Sequence, residues 1–160
     1  MKLITRYPMA ALIALAILFS GCPYSSTIPL SEATAKIPDS FIGTWERMDS
    51  EGDKVEVKRT GPNTMDVIQP NSEGEPTIYH AHFTEIGRST FMNLKEDGEY
   101  SNYLLYKLEK EGDFKIKLVE VTPYIRETFE TSADLRKFVE QNMQHSFFFT
   151  NEESTYYKIK

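Results

Sequence analysis

The sequence predicts a mainly β fold: an antiparallel meander forming a barrel or a sandwich, with one short helix near the C-terminus. Three observations carry that expectation. From residue 41 onward, apolar and polar residues alternate in short runs split by turns rich in Gly, Pro, Asn and Asp. The chain holds 9 Tyr and 10 Phe, which suit strands and a packed core better than disorder. After Thr131 the apolar spacing changes once, from the period of a strand to that of a helix.

Gly43–Met48 is the first expected strand, ended by Asp49-Ser50-Glu51-Gly52-Asp53. Lys54–Thr60 follows with Val55 and Val57 on one face, and Gly61-Pro62-Asn63 has the residue types of a tight turn. Thr64–Gln69 is a third run, and Pro70 to Pro76 a longer loop. Thr77–Ile86 sets Ile78, His80, His82 and Thr84 against Tyr79, Ala81, Phe83 and Glu85, because successive side chains of a strand point to opposite faces. Gly87-Arg88 turns it into Ser89–Lys95. Glu96-Asp97-Gly98 leads to Tyr100–Lys110, expected to be the longest strand. The Lys110-Glu111-Gly112-Asp113 turn closes a hairpin with Phe114–Val121, in which Phe114, Ile116 and Leu118 alternate with Lys115 and Lys117. Thr131-Ser132-Ala133-Asp134 has the form of a capping box. Leu135, Phe138 and Val139 then follow at helical spacing, giving an amphipathic helix that ends near Asn142. Phe147–Thr150 and Thr155–Lys160 read as closing strands around an Asn151-Glu152-Glu153 turn.

The N-terminus has a different character. Lys2 and Arg6 precede an unbroken apolar run, Met9 to Phe19, and then Ser20, Gly21 and the chain's single cysteine, Cys22. Charged, apolar and small residues in that order form a secretory signal peptide. The run is about half of the roughly 20 residues that a bilayer span requires, and one cysteine allows no internal disulfide. A cysteine directly after the small pair resembles the lipobox of bacterial lipoproteins, although Phe19 stands where that family usually has Leu. The resemblance implies cleavage before Cys22 and a diacylglycerol on its sulfur. It divides the chain into a signal peptide (1–21), a lipidated tether (22–40) and a single β domain (41–160). It also implies the cell envelope and, because Pro23 rather than Asp follows the cysteine, the outer membrane of a Gram-negative cell. Residues 23–40 contain Pro23, Pro29 and Pro38 among small polar residues, the composition of an extended or flexible tether. Ile28, Leu30 and Ile37 leave docking on the domain open as well.

Residues 1–21 carry two of the 18 basic side chains and none of the 24 acidic ones, so the remaining 139 residues have a formal charge of −8. That length buries one core. The acidic balance argues against nucleic acid as a partner and against electrostatic adhesion to anionic lipid, leaving the Cys22 lipid as the expected membrane attachment.

Phe41-Ile42-Gly43-Thr44-Trp45 opens the folded part. A Gly-x-Trp in the first strand of an all-β domain with a late helix resembles the opening of lipocalin-like barrels, where the Trp plugs one end and the Gly permits close backbone approach. No second lipocalin motif is present, and Lys158 and Lys160 stand where those proteins place an Arg over the Trp. Tyr100, Tyr103, Tyr106, Tyr156 and Tyr157 suit an apolar cavity in a barrel, a protein interface or plain strand packing.

His80 and His82 share one strand face, a spacing that can present two imidazoles to one metal, but no further ligand completes a set. Glu109, Glu111 and Asp113 read as a solvated turn. No nucleophile elbow or phosphate-binding loop is present, so no catalytic residue, metal or cofactor is assigned. The function expected is that of a non-enzymatic, membrane-anchored envelope lipoprotein binding a small apolar ligand or a protein partner. The alternatives are a purely structural or inhibitory interaction module and, third, a metal-dependent enzyme.

Overall fold

A computed structural model describes residues 24–72, 74–98 and 101–160. The expected signal peptide (1–21), Cys22 and Tyr100 lie outside the described residues. Nine strands form one sheet: β1 (Ser25–Ser26), β2 (Gly43–Arg47), β3 (Lys54–Arg59), β4 (Met65–Gln69), β5 (Thr77–Ile86), β6 (Ser89–Glu96), β7 (Tyr103–Lys110), β8 (Lys115–Val121) and β9 (Phe149–Lys158). Between β8 and β9 lies the one helix among the described residues, α1 (Ser132–Asn142). Strands β2 to β9 each pair antiparallel with the next, and β9 returns to β2, so the meander closes into an eight-stranded barrel. Closure removes the sheet edges that would otherwise expose unpaired backbone. The alternative of an open sandwich is thereby excluded.

Turn chemistry acts where the sequence places it. Gly87 takes a φ of +59° in the two-residue link from β5 to β6, and Gly112 a φ of +75° in the link from β7 to β8. Positive φ carries little steric cost without a Cβ. Thr131 caps α1, its hydroxyl oxygen accepting from the Asp134 N–H at 3.2 Å.

Inside the barrel, Phe41, Trp45, Val57, Met65, Ala81, Phe83, Met92, Leu94, Leu108 and Ile116 form a core. A second core lies outside it. Ile86, Phe91, Leu105 and Val121 belong to the opposite faces of β5 to β8, and they pack with Leu135 and Val139 of α1, with Phe148 and with Leu30.

Leu30 overturns the tether. Residues 24–41 form a strap, and folded structure starts at Tyr24 rather than Phe41. β1 pairs Ser25 with Leu104 and Ser26 with Tyr103, on the stretch of β7 that extends past the end of β8. The strap then crosses the outer faces of β5 and β6 and reaches the far end. There Ile37 is buried beside Phe41, its N–H donating to the Pro62 carbonyl at 3.1 Å. Leu30 and Ile37 are both fully buried, worth about 2 kcal/mol each, and this burial holds a segment whose composition alone suits an extended tether.

Two smaller expectations also change. Asn151-Glu152-Glu153 is not a turn: β9 runs through it as one strand of 10 residues, with Glu153 opposite Val119. The segment has no Gly or Pro to break the ladder, and Lys117 pairs with Glu153 at 3.0 Å. β7 is not the longest strand either, since its 8 residues are exceeded by the 10 of β5 and of β9.

Candidate functional site: the barrel cavity

The floor of the barrel is built by the chain that enters it. A 3-10 turn at Asp39–Phe41 swings the strap under the barrel, and Phe41 meets Phe83 edge to face, ring centroids 4.9 Å apart. Trp45 seals the centre, its indole N–H donating to the Phe41 carbonyl at 2.9 Å. Lys158 closes this end from β9. Its Nζ sits 6.0 Å from the centre of the Trp45 ring and donates to the Ser40 carbonyl at 3.0 Å. A cation over an indole face is an attractive contact. Gly43 makes the arrangement possible: with a φ of +133°, it lies so close to the C-terminus that a Cβ there would sit 2.0 Å from the Lys160 carbonyl oxygen.

Above this floor the barrel is hollow. A cavity of about 260 Å³ is walled by Val55, Val57, Val67, Met92, Leu94, Leu104 and Leu118, with Trp45 and Phe41 beneath. Alternation explains the wall, because these residues hold the inward positions of β3, β4, β6, β7 and β8. Toward the open end the lining turns polar, with Arg47, Asp53, Gln69, Glu120 and Ser154.

Three tyrosines, Tyr79, Tyr106 and Tyr156, belong to the same lining, Tyr79 opposite Val67 and Tyr106 opposite Met92 in the ladder. Burial pushes the Tyr106 phenol well above its ordinary range, and the neighbouring Glu120, Tyr156 and Tyr79 push it further. Burial likewise raises Tyr156 and Tyr79. All three are therefore neutral hydroxyls at physiological pH. The Glu120 carboxyl is also raised, by burial first and then by the charge of Glu152, against a lowering from Arg47. Arg47 itself is engaged, its Nε donating to Asp49 at 2.7 Å. The site is thus an apolar cup with three tyrosines in its lining and a polar rim. It can hold a small molecule with an apolar body and a hydrogen-bonding end.

The tyrosines singled out by the sequence divide by parity. Tyr106 and Tyr156 face the cavity. Tyr103 points outward, edge-on to His82 at 6.4 Å and under Lys95, and Tyr157 lies outside beside Lys115. Tyr79 was not among them, although it alternates with Ala81 and Phe83, which are inward. Arg47 and Glu120 were also unmarked, because single polar residues at strand ends mean a rim only once the strands are in register.

The two strand histidines share the outer face, as their spacing requires, but have separate partners. His80 Nδ1 lies 2.8 Å from Asp66 Oδ1, and His82 Nε2 lies 2.8 Å from the Ser31 carbonyl beneath the strap. Among the described residues no three His, Cys, Asp or Glu side chains come together to hold a metal ion. Glu109, Glu111 and Asp113 each pair with a lysine, Lys107, Lys115 and Lys110 respectively. Among the described residues no helix is long and apolar enough to cross a membrane. No protein-family model matches the chain, and neither a curated protein nor a solved structure matches it.

Proposed function

We propose that this chain is an envelope lipoprotein, acylated on Cys22, whose barrel binds a small apolar ligand. The cavity carries the reading: an apolar cup of about 260 Å³ closed below by Trp45, with Tyr79, Tyr106 and Tyr156 in its lining. Drug-sized ligands fill pockets of about 300–1,000 Å³, so the volume favours a short or slim molecule. Its apolar part would lie against Val67, Met92 and Leu118, and a polar end would meet the hydroxyls of Tyr79, Tyr106 and Tyr156. The Gly43–Trp45 opening, with Lys158 across the indole, adds support for a lipocalin-like barrel. The lipobox order ending at Cys22 supports the anchor, and two acyl chains suffice for stable attachment.

Native mass spectrometry after mild detergent extraction tests the ligand. A co-purifying small apolar mass is expected, and it should disappear in Val67→Trp, whose indole fills the cup. A wild-type barrel that carries no such mass and does not brighten an apolar fluorescent probe would overturn the binding reading. Cys22→Ala should release the folded barrel from the membrane fraction, whereas full retention after signal cleavage refutes the anchor.

A further inference from the structure

The docked strap changes what an anchor on Cys22 would do. A tether of eighteen residues would let the barrel tumble freely above a bilayer, but Tyr24 is already part of the fold. It packs against the outer core together with Ile125 and Phe129. Cys22 is two residues upstream, and two Cα–Cα steps span at most about 7.6 Å. The attachment point is therefore confined to the neighbourhood of Tyr24.

That neighbourhood lies at the open end of the barrel. β8 runs from Ile116, against the floor, to Glu120 on the cavity rim, and Val121 ends it. The segment that follows borders Tyr24 in a shared recess, with Pro123, Ile125 and Phe129. Two large side chains are exposed there, Tyr124 at 72% and Phe147 at 67%. The Thr122 N–H donates to the Phe148 carbonyl at 2.9 Å, so the two segments that carry them run side by side. Aromatic side chains placed at the level of lipid headgroups are favourable, because the ring has an apolar body with a polar edge or tip.

We propose that this end of the barrel rests on the bilayer that holds the Cys22 lipid, with Tyr124 and Phe147 in the headgroup region, so that the cavity opens toward the membrane surface. The inference rests on acylation of Cys22. Glu127 and Glu130 lie in the same segment, with Arg126 the one basic side chain beside them, so the surface that fits is zwitterionic rather than anionic.

The full-length acylated protein, bound to phosphatidylcholine vesicles, tests this. Acylation consumes the Cys22 thiol, so a maleimide dye labels only an introduced cysteine. Thr128→Cys places it near the patch and leaves both aromatics in place. Phe114→Cys places it in the turn between β7 and β8, at the floor end, where Phe114 is 70% exposed. With brominated lipid, the dye at 128 should lose at least about half its emission and the dye at 114 should be unchanged, because interfacial side chains penetrate only about 5–10 Å. Adding Tyr124→Ser and Phe147→Ser should at least halve the quenching at 128. Equal quenching at both sites, stronger quenching at 114, or none at either on vesicle-bound protein overturns the orientation. A mature chain without the mass of the lipid overturns acylation itself, a result read independently of the dye.

Discussion

Asn93 is the latch of the strap, and replacing it with alanine measures what the strap contributes. Asn93 is fully buried on the outer face of β6. Its Oδ1 accepts from the Leu30 N–H at 2.7 Å, and its Nδ2 donates to Thr84 Oγ1 at 2.9 Å and to the His82 carbonyl at 3.4 Å. Thr84 Oγ1 continues the chain to Ser31 Oγ at 2.7 Å. In Asn93→Ala the Thr84 hydroxyl keeps Ser31, but the buried Leu30 N–H is orphaned, at a cost of about 1–3 kcal/mol. The void left by the missing amide adds about 1 kcal/mol. The sum, about 3 kcal/mol, is a large fraction of the 5–15 kcal/mol that holds a typical domain. The strap can limit the loss by peeling away and hydrating Leu30 N–H, but Leu30 itself is then exposed, for about 2 kcal/mol. Urea unfolding should therefore show a lower midpoint with an unchanged slope. Amide exchange should accelerate at Leu30 and Ser31 but not in β3 or β4. Asn93→Asp, which retains the acceptor and turns a carboxylate toward the His82 carbonyl, should fall between wild type and alanine. A loss below about 0.5 kcal/mol, the size of an ordinary surface substitution, with unchanged exchange at Leu30 would refute the latch.

Gly43→Ala forces a Cβ to within 2.0 Å of the Lys160 carbonyl oxygen at a φ of +133°. It should cost at least about 3 kcal/mol, whereas Gly52→Ala, with φ +87° but open space around it, should cost about 1 kcal/mol of backbone strain; thermal melts separate the two, and equal losses would refute the close approach. Burial holds His82 below the ordinary imidazole value of 6.5, against raising contributions from the Ser31 carbonyl and Glu32. The folded state thus favours the neutral ring. Its contribution to stability is complete above pH 6.5 and is lost as pH falls from there through the depressed folded value. His80 runs the other way: raised chiefly by its hydrogen bond to Asp66, it contributes below pH 6.5 and loses that as pH rises through its folded value. His80 is more than half exposed, so screening keeps its effect small. Unfolding midpoints at pH 7.5 and 5.5 should converge in His82→Gln relative to wild type, and an unchanged pH difference would refute the assignment.

Local pattern made the barrel legible. The alternation of Thr77–Ile86 and the Gly112 hairpin can be read from neighbours in sequence, and each strand of the meander pairs with the next. Contacts between distant residues were not legible. The strap has the proline and serine content of a tether, and what holds it is a hydrogen bond across 63 positions, from Leu30 to Asn93. No local window contains both. The continuity of β9 was missed for a related reason: Asn151-Glu152-Glu153 is polar on both faces, and only the ladder to β8, with Val119 opposite Glu153 and Lys117 ion-paired to it, makes it a strand. For the cavity, Tyr106 could be placed by its alternation with Leu104 and Leu108, and the same parity puts Tyr103 outside. Glu120 and Arg47 required the register.

The two cores also explain how a barrel this small keeps an unfilled interior. A filled barrel of eight strands is stabilised from within, by inward side chains that meet across its axis. Here the largest of them, Trp45, Phe41 and Phe83, meet near the floor. Val67, Leu104 and Leu118 pack against that core and also border the cavity, and on the cavity side they forgo contacts that close packing would supply. The outer core offsets that loss, with the strap and α1 burying Leu30, Leu135 and Val139 against the backs of β5 to β8. Stability is thus moved from the inside of the barrel to its outside, and the strap that moves it is also the segment leading back to Cys22. A cavity, a short connection to the proposed anchor site and a buried leucine in a proline-rich segment are therefore consequences of one arrangement. Releasing the strap by Asn93→Ala should weaken β5 and β6, whose outer faces it covers, before it weakens β3 and β4.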